Sequence, residues 1–189
     1  MNRIRIAALC AAVSFAVLGG AAFAPSAYAE KTVEVGGAPM YPSKNIVQNA
    51  VNSKDHTTLV AAVKAAGLVD TLMSPGPFTV FAPVNKAFER LPAGTVESLL
   101  KPENKATLTS VLTYHVIASK LSADDLKAKV QAGGGKATLT TVQGETLTVE
   151  QDGRRIAIID AKGDKSFVTI PDVNQSNGVI HVVDTVLLP

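Results

Sequence analysis

The apolar positions of this chain change period twice. DHTTLVAAVKAAG, from Asp55 to Gly67, puts Leu59, Val60 and Val63 on one face, with Asp55 as N-cap, Lys64 in the last turn and Gly67 as the stop. That pattern predicts an amphipathic helix packed on a core. Phe78 to Phe81 then has strand composition, Pro83 cannot donate to a ladder, and NKAFERL resumes helical spacing through Phe88 and Leu91. Pro83 is therefore read as a strand-to-helix transition, and Asn85 follows where a side chain caps the new helix or ties down the turn. A structural hinge explains this stretch better than a catalytic Asn. In KPENKATLTSVLTYHVI, Pro102 and Glu103 suit a first turn, while Leu108, Val111, Leu112, His115 and Val116 recur at helical spacing, placing His115 on the buried stripe. SADDLKAKVQAGGG reads as a further short helix with a capping box from Ser122 to Asp125, running out into glycines.

Past those glycines the period becomes alternating. ATLTTV, ETLTVE, RRIAIID, SFVTI and GVIHVVDTVLLP all read as strands. Asp152-Gly153 marks a hairpin and Asn177-Gly178 a turn just before the last strand. That last strand is apolar on both faces, which predicts a central position. Before Asn45 the pattern differs: Glu30 to Lys44 is punctuated by glycines and prolines without a sustained period, so residues 30–44 read as a linker or arm and 45–189 as one domain. No internal repeat is found.

The N-terminus alters the charge picture. Arg3 and Arg5 precede an apolar run from Ile6 to Leu18, and the stretch ends in Ala27-Tyr28-Ala29, so residues 1–29 read as a secretory signal peptide cleaved before Glu30. The run is too short for a retained membrane-spanning helix. The chain has 18 basic and 16 acidic residues; removing the two signal arginines leaves 16 of each. A neutral mature chain gives no electrostatic reason to expect nucleic-acid binding. Cys10, the only cysteine, leaves with the signal, so no disulfide, thiolate nucleophile or Cys-ligated metal is expected. The expected location is a periplasm or the extracellular space.

Candidate chemistry is sparse. His56, His115 and His181 lie far apart in sequence and lack HExxH or HxH context, so no metal site is expected. There is no GxSxG elbow. AGGGKAT superficially resembles a phosphate loop, but Val130 stands where the first Gly of a Walker motif belongs and Ala137 replaces the Ser or Thr. A connector between helical and sheet halves fits better. Paired carboxylates for glycoside hydrolysis could come from Asp152, Asp160, Asp164, Asp172 and Asp184, each placed at a turn or strand end. His181 shares a strand face with Val179 and Val183, so it and His115 read as hydrogen-bonded core histidines that make the fold pH-sensitive.

Three stretches together resemble the fasciclin domain: FTVFAPVNKAFERLP from Phe78 to Pro92, Tyr114-His115 after LTSVLT, and NGVIHVVDTVLLP from Asn177 to Pro189. Their order and spacing make the resemblance specific, and it is nearest to the single-domain exported bacterial members. It implies an α+β fold in which a wedge of β-strands packs against a cluster of short helices, with Phe81, Pro83, Asn85, Phe88, Tyr114, His115, Asn177, Gly178 and His181 as structural signature positions. It also implies a function in adhesion or other extracellular interaction, without enzymatic activity or a cofactor.

In animal members a Pro-Asp-Ile segment ahead of the last strand, and the Tyr-His pair, are connected with integrin binding. The matching positions here are Pro171, Asp172 and Val173, then Tyr114 and His115. Val173 stands in for Ile, and Ile170 sits where those proteins often carry Glu. The expected partner is therefore an extracellular or cell-surface protein or glycan, with a loop around Asp172 as the contact. Two rival readings are a binder of a small lipophilic ligand between helices and sheet, which requires an apolar pocket of several hundred cubic ångströms, and a carbohydrate-active enzyme, which requires two carboxylates roughly 5 to 10 Å apart in a cleft.

Overall fold

The computed structural model describes residues 32–189; the stretch read as an export signal lies outside them. In chain order the elements are β1 (Val33–Val35), β2 (Ala38–Met40), α1 (Ile46–Ala50), α2 (Thr57–Ala66), α3 (Val69–Met73), β3 (Phe78–Pro83), α4 (Asn85–Glu89), α5 (Thr95–Leu99), α6 (Lys105–Tyr114), β4 (Val116–Ile117), α7 (Ala123–Ala132), β5 (Lys136–Thr140), β6 (Thr146–Asp152), β7 (Arg155–Ile159), β8 (Lys165–Gln175) and β9 (Gly178–Val183). Helices fill the first part and strands the last, an α+β arrangement.

Seven strands form one sheet in the order β4-β3-β9-β8-β7-β6-β5. β3 and β9 run parallel, with Phe81 opposite His181, and the other neighbours are antiparallel. β9 is thus central, as its unbroken apolar sequence predicts, and all six of its residues are buried. Both its faces are covered. Val80, Ala82, Ile180 and Val182 face a core built with α1, α2 and α6. Phe81 and Val183 face a second core built with α7 and strands β5 to β7. The two-residue period of a strand sends alternate side chains into different cores.

Helix ends follow their local chemistry. Ser122 Oγ accepts from Asp125 N at 3.1 Å while Asp125 Oδ2 accepts from Ser122 N at 2.9 Å, the reciprocal cap expected for α7. Gly67 closes α2 in the left-handed region at φ 74°.

Several expectations need correction. Residues 33–40 form a hairpin rather than an arm, and Val35 and Met40 lie in the helical core. Two short strands around Gly36-Gly37 carry too few residues to show a period. Asp55 does not cap α2; it sits in a 3-10 turn over Lys54–His56, and the helix begins at Thr57. α6 stops at Tyr114, leaving His115 as its C-cap and Val116 in β4, because the chain turns there to pair with β3. The hairpin near Asp152 turns at Gly153 and Arg154, one residue later than expected, with Asp152 paired to Arg155. β8 runs on through Pro171 and Asp172 to Gln175, so Asp172 lies within a strand and not in a loop.

Candidate interaction site

Pro171 has no N–H to give a ladder and is tolerated within a sheet only at an edge or a bulge. The register of β8 against β9 slips by one residue between Ile170 and Val173, which leaves Pro171 and Asp172 outside regular pairing. Asp172 there has φ 55°, a left-handed conformation that Asp tolerates better than most residues. Three hydrogen bonds hold it: its N–H donates to His181 Nδ1 at 3.3 Å, its Oδ1 accepts from Ala123 N at 2.7 Å, and its carbonyl accepts from Asn174 Nδ2 at 3.2 Å. Ala123 opens α7, so the carboxylate satisfies an orphan N–H and sits at the positive end of that helix. Pro171 is exposed, Asp172 half-buried and Val173 buried in the helical core. The predicted triplet is split by the pleat, and only its first two residues reach the surface.

His181 supports the bulge from beneath. Its Nδ1 accepts from Asp172 N, so Nε2 carries the proton and donates to Leu121 O at 2.9 Å. The ring stacks on Phe81 with centroids 5.8 Å apart. Burial lowers its pKa, outweighing the Leu121 carbonyl and the Asp172 charge, which favour the cation. Neutral His181 thus fixes the bulge, α7 and the turn before it to one another.

Beside the bulge lies a cleft of about 220 Å³, lined by Pro171, Lys127, Arg154, Arg155, Ile156 and Val168 among others. Arg155 lies over the Phe167 ring at 4.1 Å, a cation–π contact that orients it. Lys127 pairs with Asp124 at 3.2 Å, and Arg154 has no ion pair or hydrogen bond among the described residues. Sequence reasoning missed this grouping. Lys127 comes from α7, Arg154 from the β6–β7 turn and Arg155 from the start of β7, and an Arg-Arg pair beside a hairpin carries no local signal of what it faces.

The signature residues do structural work inside the fold. Pro83 ends β3. Asn85 caps no helix of its own: Oδ1 accepts from Thr58 N at 3.1 Å and Nδ2 donates to Lys54 O at 2.8 Å, so it closes the start of α2 from across the hinge. Phe88 packs on the helical core. Asn177 Oδ1 accepts from Ile46 N, and its Nδ2 donates to Leu72 O and Ser74 O, joining α1, α3 and the last turn. Gly178 must be glycine, since a Cβ would stand 2.2 Å from Phe78 O. Tyr114 is fully buried, donating to Thr146 O and accepting from Ala161 N. His115 donates from Nδ1 to Val111 O and accepts from Leu187 N at Nε2. Burial lowers its pKa to about 4. Neither Tyr114 nor His115 reaches a surface where a partner could touch it.

Two more of the candidate carboxylates, Asp160 and Asp184, are similarly committed. Asp160 accepts from the backbone N–H groups of Lys162, Asp164 and Leu188, and Asp184 from that of Phe167. Among the described residues no three His, Cys, Asp or Glu side chains converge in a way that could hold a metal ion, and no helix is long and apolar enough to cross a membrane.

Comparison with known proteins agrees with this architecture. The family model described as Fasciclin domain matches residues 54–189. Protein sll1483 of Synechocystis sp. is 46% identical over 98% of this chain and 96% of its own length. Immunogenic protein MPB70 of Mycobacterium bovis is 37% identical, over 74% of this chain and 66% of its own. Transforming growth factor-beta-induced protein ig-h3 of Sus scrofa is also 37% identical, over 69% of this chain but only 17% of its own length. Among solved structures, a FAS1 domain pair from the insect cell adhesion molecule Fasciclin I superposes with a TM-score of 0.71 at 22% identity, over 85% of this chain and 59% of that one, a likeness of fold. With the family model matched from the 3-10 turn before α2 to the last residue, the chain belongs to the fasciclin domain family.

Proposed function

We propose that this chain is an exported, non-enzymatic interaction module that adheres to a cell-surface or matrix partner, a protein or a glycan, through the Pro171–Asp172 bulge and the cleft beside it. The observation that carries this reading is the bulge itself. The backbone is forced out of the sheet, Pro171 is exposed, and Lys127, Arg154 and Arg155 gather next to it on a chain with no net charge once its signal is removed. Family membership supports adhesion, since the solved Fasciclin I domain pair comes from a cell adhesion molecule. The N-terminal sequence supports export. A contact of this size is weak per copy and gains strength from many copies on a surface.

Adhesion of producing cells, and separately of animal cells, to surfaces coated with Glu30–Pro189 tests the reading. Asp172→Asn keeps an oxygen for Ala123 N and removes the charge, while Arg154→Glu with Arg155→Glu reverses the cleft. Loss of binding in either, while the variant stays folded at the assay temperature with its melting temperature only slightly lowered, is the expected result; equal binding by wild type and both variants overturns this contact, and no binding by any of them overturns adhesion.

A further inference from the structure

Between the helices and the β3–β9 face lies a cavity of about 80 Å³ whose walls are nearly all carbon, supplied by residues such as Ile46, Leu59, Leu72, Ile180 and Val182. Exposed Lys64, Thr71 and Val142 also border it, so it reaches solvent. Six polar side chains belong to its lining: Lys64 and Thr71 at the exposed border, Thr113 and His115, whose side chains are hydrogen-bonded to Thr109 O and to Val111 O and Leu187 N, and Ser53 and His56, which are 2% and 3% exposed. Ser53 Oγ lies 2.9 Å from His56 Nδ1. His56 Nε2 is the one buried side-chain nitrogen or oxygen among the described residues with no hydrogen-bond partner.

The proton on that ring can be placed by counting donors. Nδ1 is the sole partner of the Ser53 hydroxyl. If Nδ1–H donated to Oγ, the hydroxyl hydrogen and the Nε2 lone pair would both be stranded. If Oγ–H donates to Nδ1, only Nε2–H is left over. The second arrangement is the better satisfied and makes Nε2 a donor. Burial lowers the pKa of His56, more than the neighbouring Ala82 backbone and Asp55 charge raise it, in keeping with a neutral ring. The Ala82 backbone is close enough to favour the cation, but Nε2 itself makes no hydrogen bond. A buried donor without an acceptor costs about 1–3 kcal/mol, which a leucine here would not.

We propose that this cavity binds a small apolar molecule carrying a single hydrogen-bond acceptor, a short-chain or monocyclic ketone, ether or alcohol, with its oxygen on His56 Nε2. Size limits the class. An engineered cavity of about 150 Å³ holds benzene, so the space here takes the oxygen-bearing end and the adjoining carbons, while the rest of the molecule leaves toward the exposed border made by Lys64, Thr71 and Val142. The small lipophilic ligand considered above was expected to require a pocket of several hundred cubic ångströms; the space here is about 80 Å³ and encloses only part of such a molecule. Specificity follows from the orphan donor, because a molecule without an acceptor leaves Nε2–H unpaired.

The test is a titration of the isotope-labelled chain, followed by NMR, with cyclohexanone and with methylenecyclohexane, the same ring without oxygen. Cyclohexanone is expected to shift the Leu72 and Val182 methyls and the His56 Nε2 resonance, and to bind about tenfold more tightly than methylenecyclohexane. In His56→Leu that preference is expected to vanish while the hydrocarbon still binds. No methyl shift with either probe, equal affinity for the two, or a preference that survives in His56→Leu overturns the proposal. Should His56→Leu not fold, the wild-type affinity ratio and the Nε2 shift decide alone. None of these readouts depends on adhesion.

Discussion

Asn177 makes one acceptor and two donor contacts to backbone groups of Ile46, Leu72 and Ser74, so its amide does for three chain segments what a cap does for one. Truncation to alanine would strand buried groups on all of them. Asn177→Ala is expected to cost about 2–4 kcal/mol, read as a lower urea midpoint with an unchanged slope. The chemistry of Asn177 and Asn85 was legible in their residue type and position at a turn. Their partners were not, because Ile46 is 131 residues away and Lys54 is 31, and local sequence holds no record of such distances. His115 was placed correctly in the interior but for a shifted reason: it caps α6 rather than continuing it. Its pKa falls from 6.5 unfolded to about 4 folded. Between those values the unfolded chain takes up a proton that the folded chain refuses. Stability is therefore full above about pH 6.5 and declines toward pH 4, by on the order of 3 kcal/mol from this residue. His56 and His181, lowered by burial in the same sense, steepen that decline. Urea midpoints measured from pH 7 to 4.5 should fall less steeply in His115→Gln than in wild type, and identical slopes would contradict this assignment.

At the scale of elements, strand β8 shows where local turn chemistry and long-range pairing part. Pro171 and Asp172 are turn-forming residues, and a turn ahead of the last strand is what they predict. The antiparallel ladder with β9 nevertheless resumes at Val173 and continues to Gln175, so the turn residues become a bulge inside a longer strand. Helix interiors fared better than helix ends: the α7 capping box was readable from Ser122 and Asp125 alone, whereas Asp55, expected to cap α2, sits in the 3-10 turn before it. The bulge makes a graded prediction. Asp172→Ala loses the cap on Ala123 N and keeps a Cβ at φ 55°, for a cost of about 1–2 kcal/mol. Asp172→Gly loses the same cap and relieves the backbone, so it should cost less. Asp172→Asn keeps an acceptor and should cost least. Thermal midpoints in the order Ala, Gly, Asn, wild type, from lowest to highest, are expected. Equal midpoints for Ala and Gly would mean that the left-handed residue is unstrained.

For the whole molecule, the consequential feature is that β3 and β9 belong to two cores at once. The apolar run from Val179 to Val183 announced a strand covered on both sides, but not which elements cover it. The helical core also recruits the β1–β2 hairpin, whose Val35 and Met40 had no readable period. A shared central pair couples the two sides. Leu112 lies in the helical core and Leu147 in the core under α7, on opposite faces of the sheet. Each truncation to alanine removes buried volume and should cost about 2–5 kcal/mol. If β3 and β9 transmit the loss, either variant lowers the stability of both sides equally, and unfolding stays a single transition by far-UV circular dichroism and by tyrosine fluorescence, the latter usable because the chain has no tryptophan. Hydrogen exchange gives the sharper readout. Amides of α2 and α6 should lose as much protection in Leu147→Ala as those of β6 and β7 do. Loss confined to β5, β6 and β7, with α2 and α6 protected as in wild type, would show instead that the wedge and the helical cluster open independently, and that the central pair only joins them.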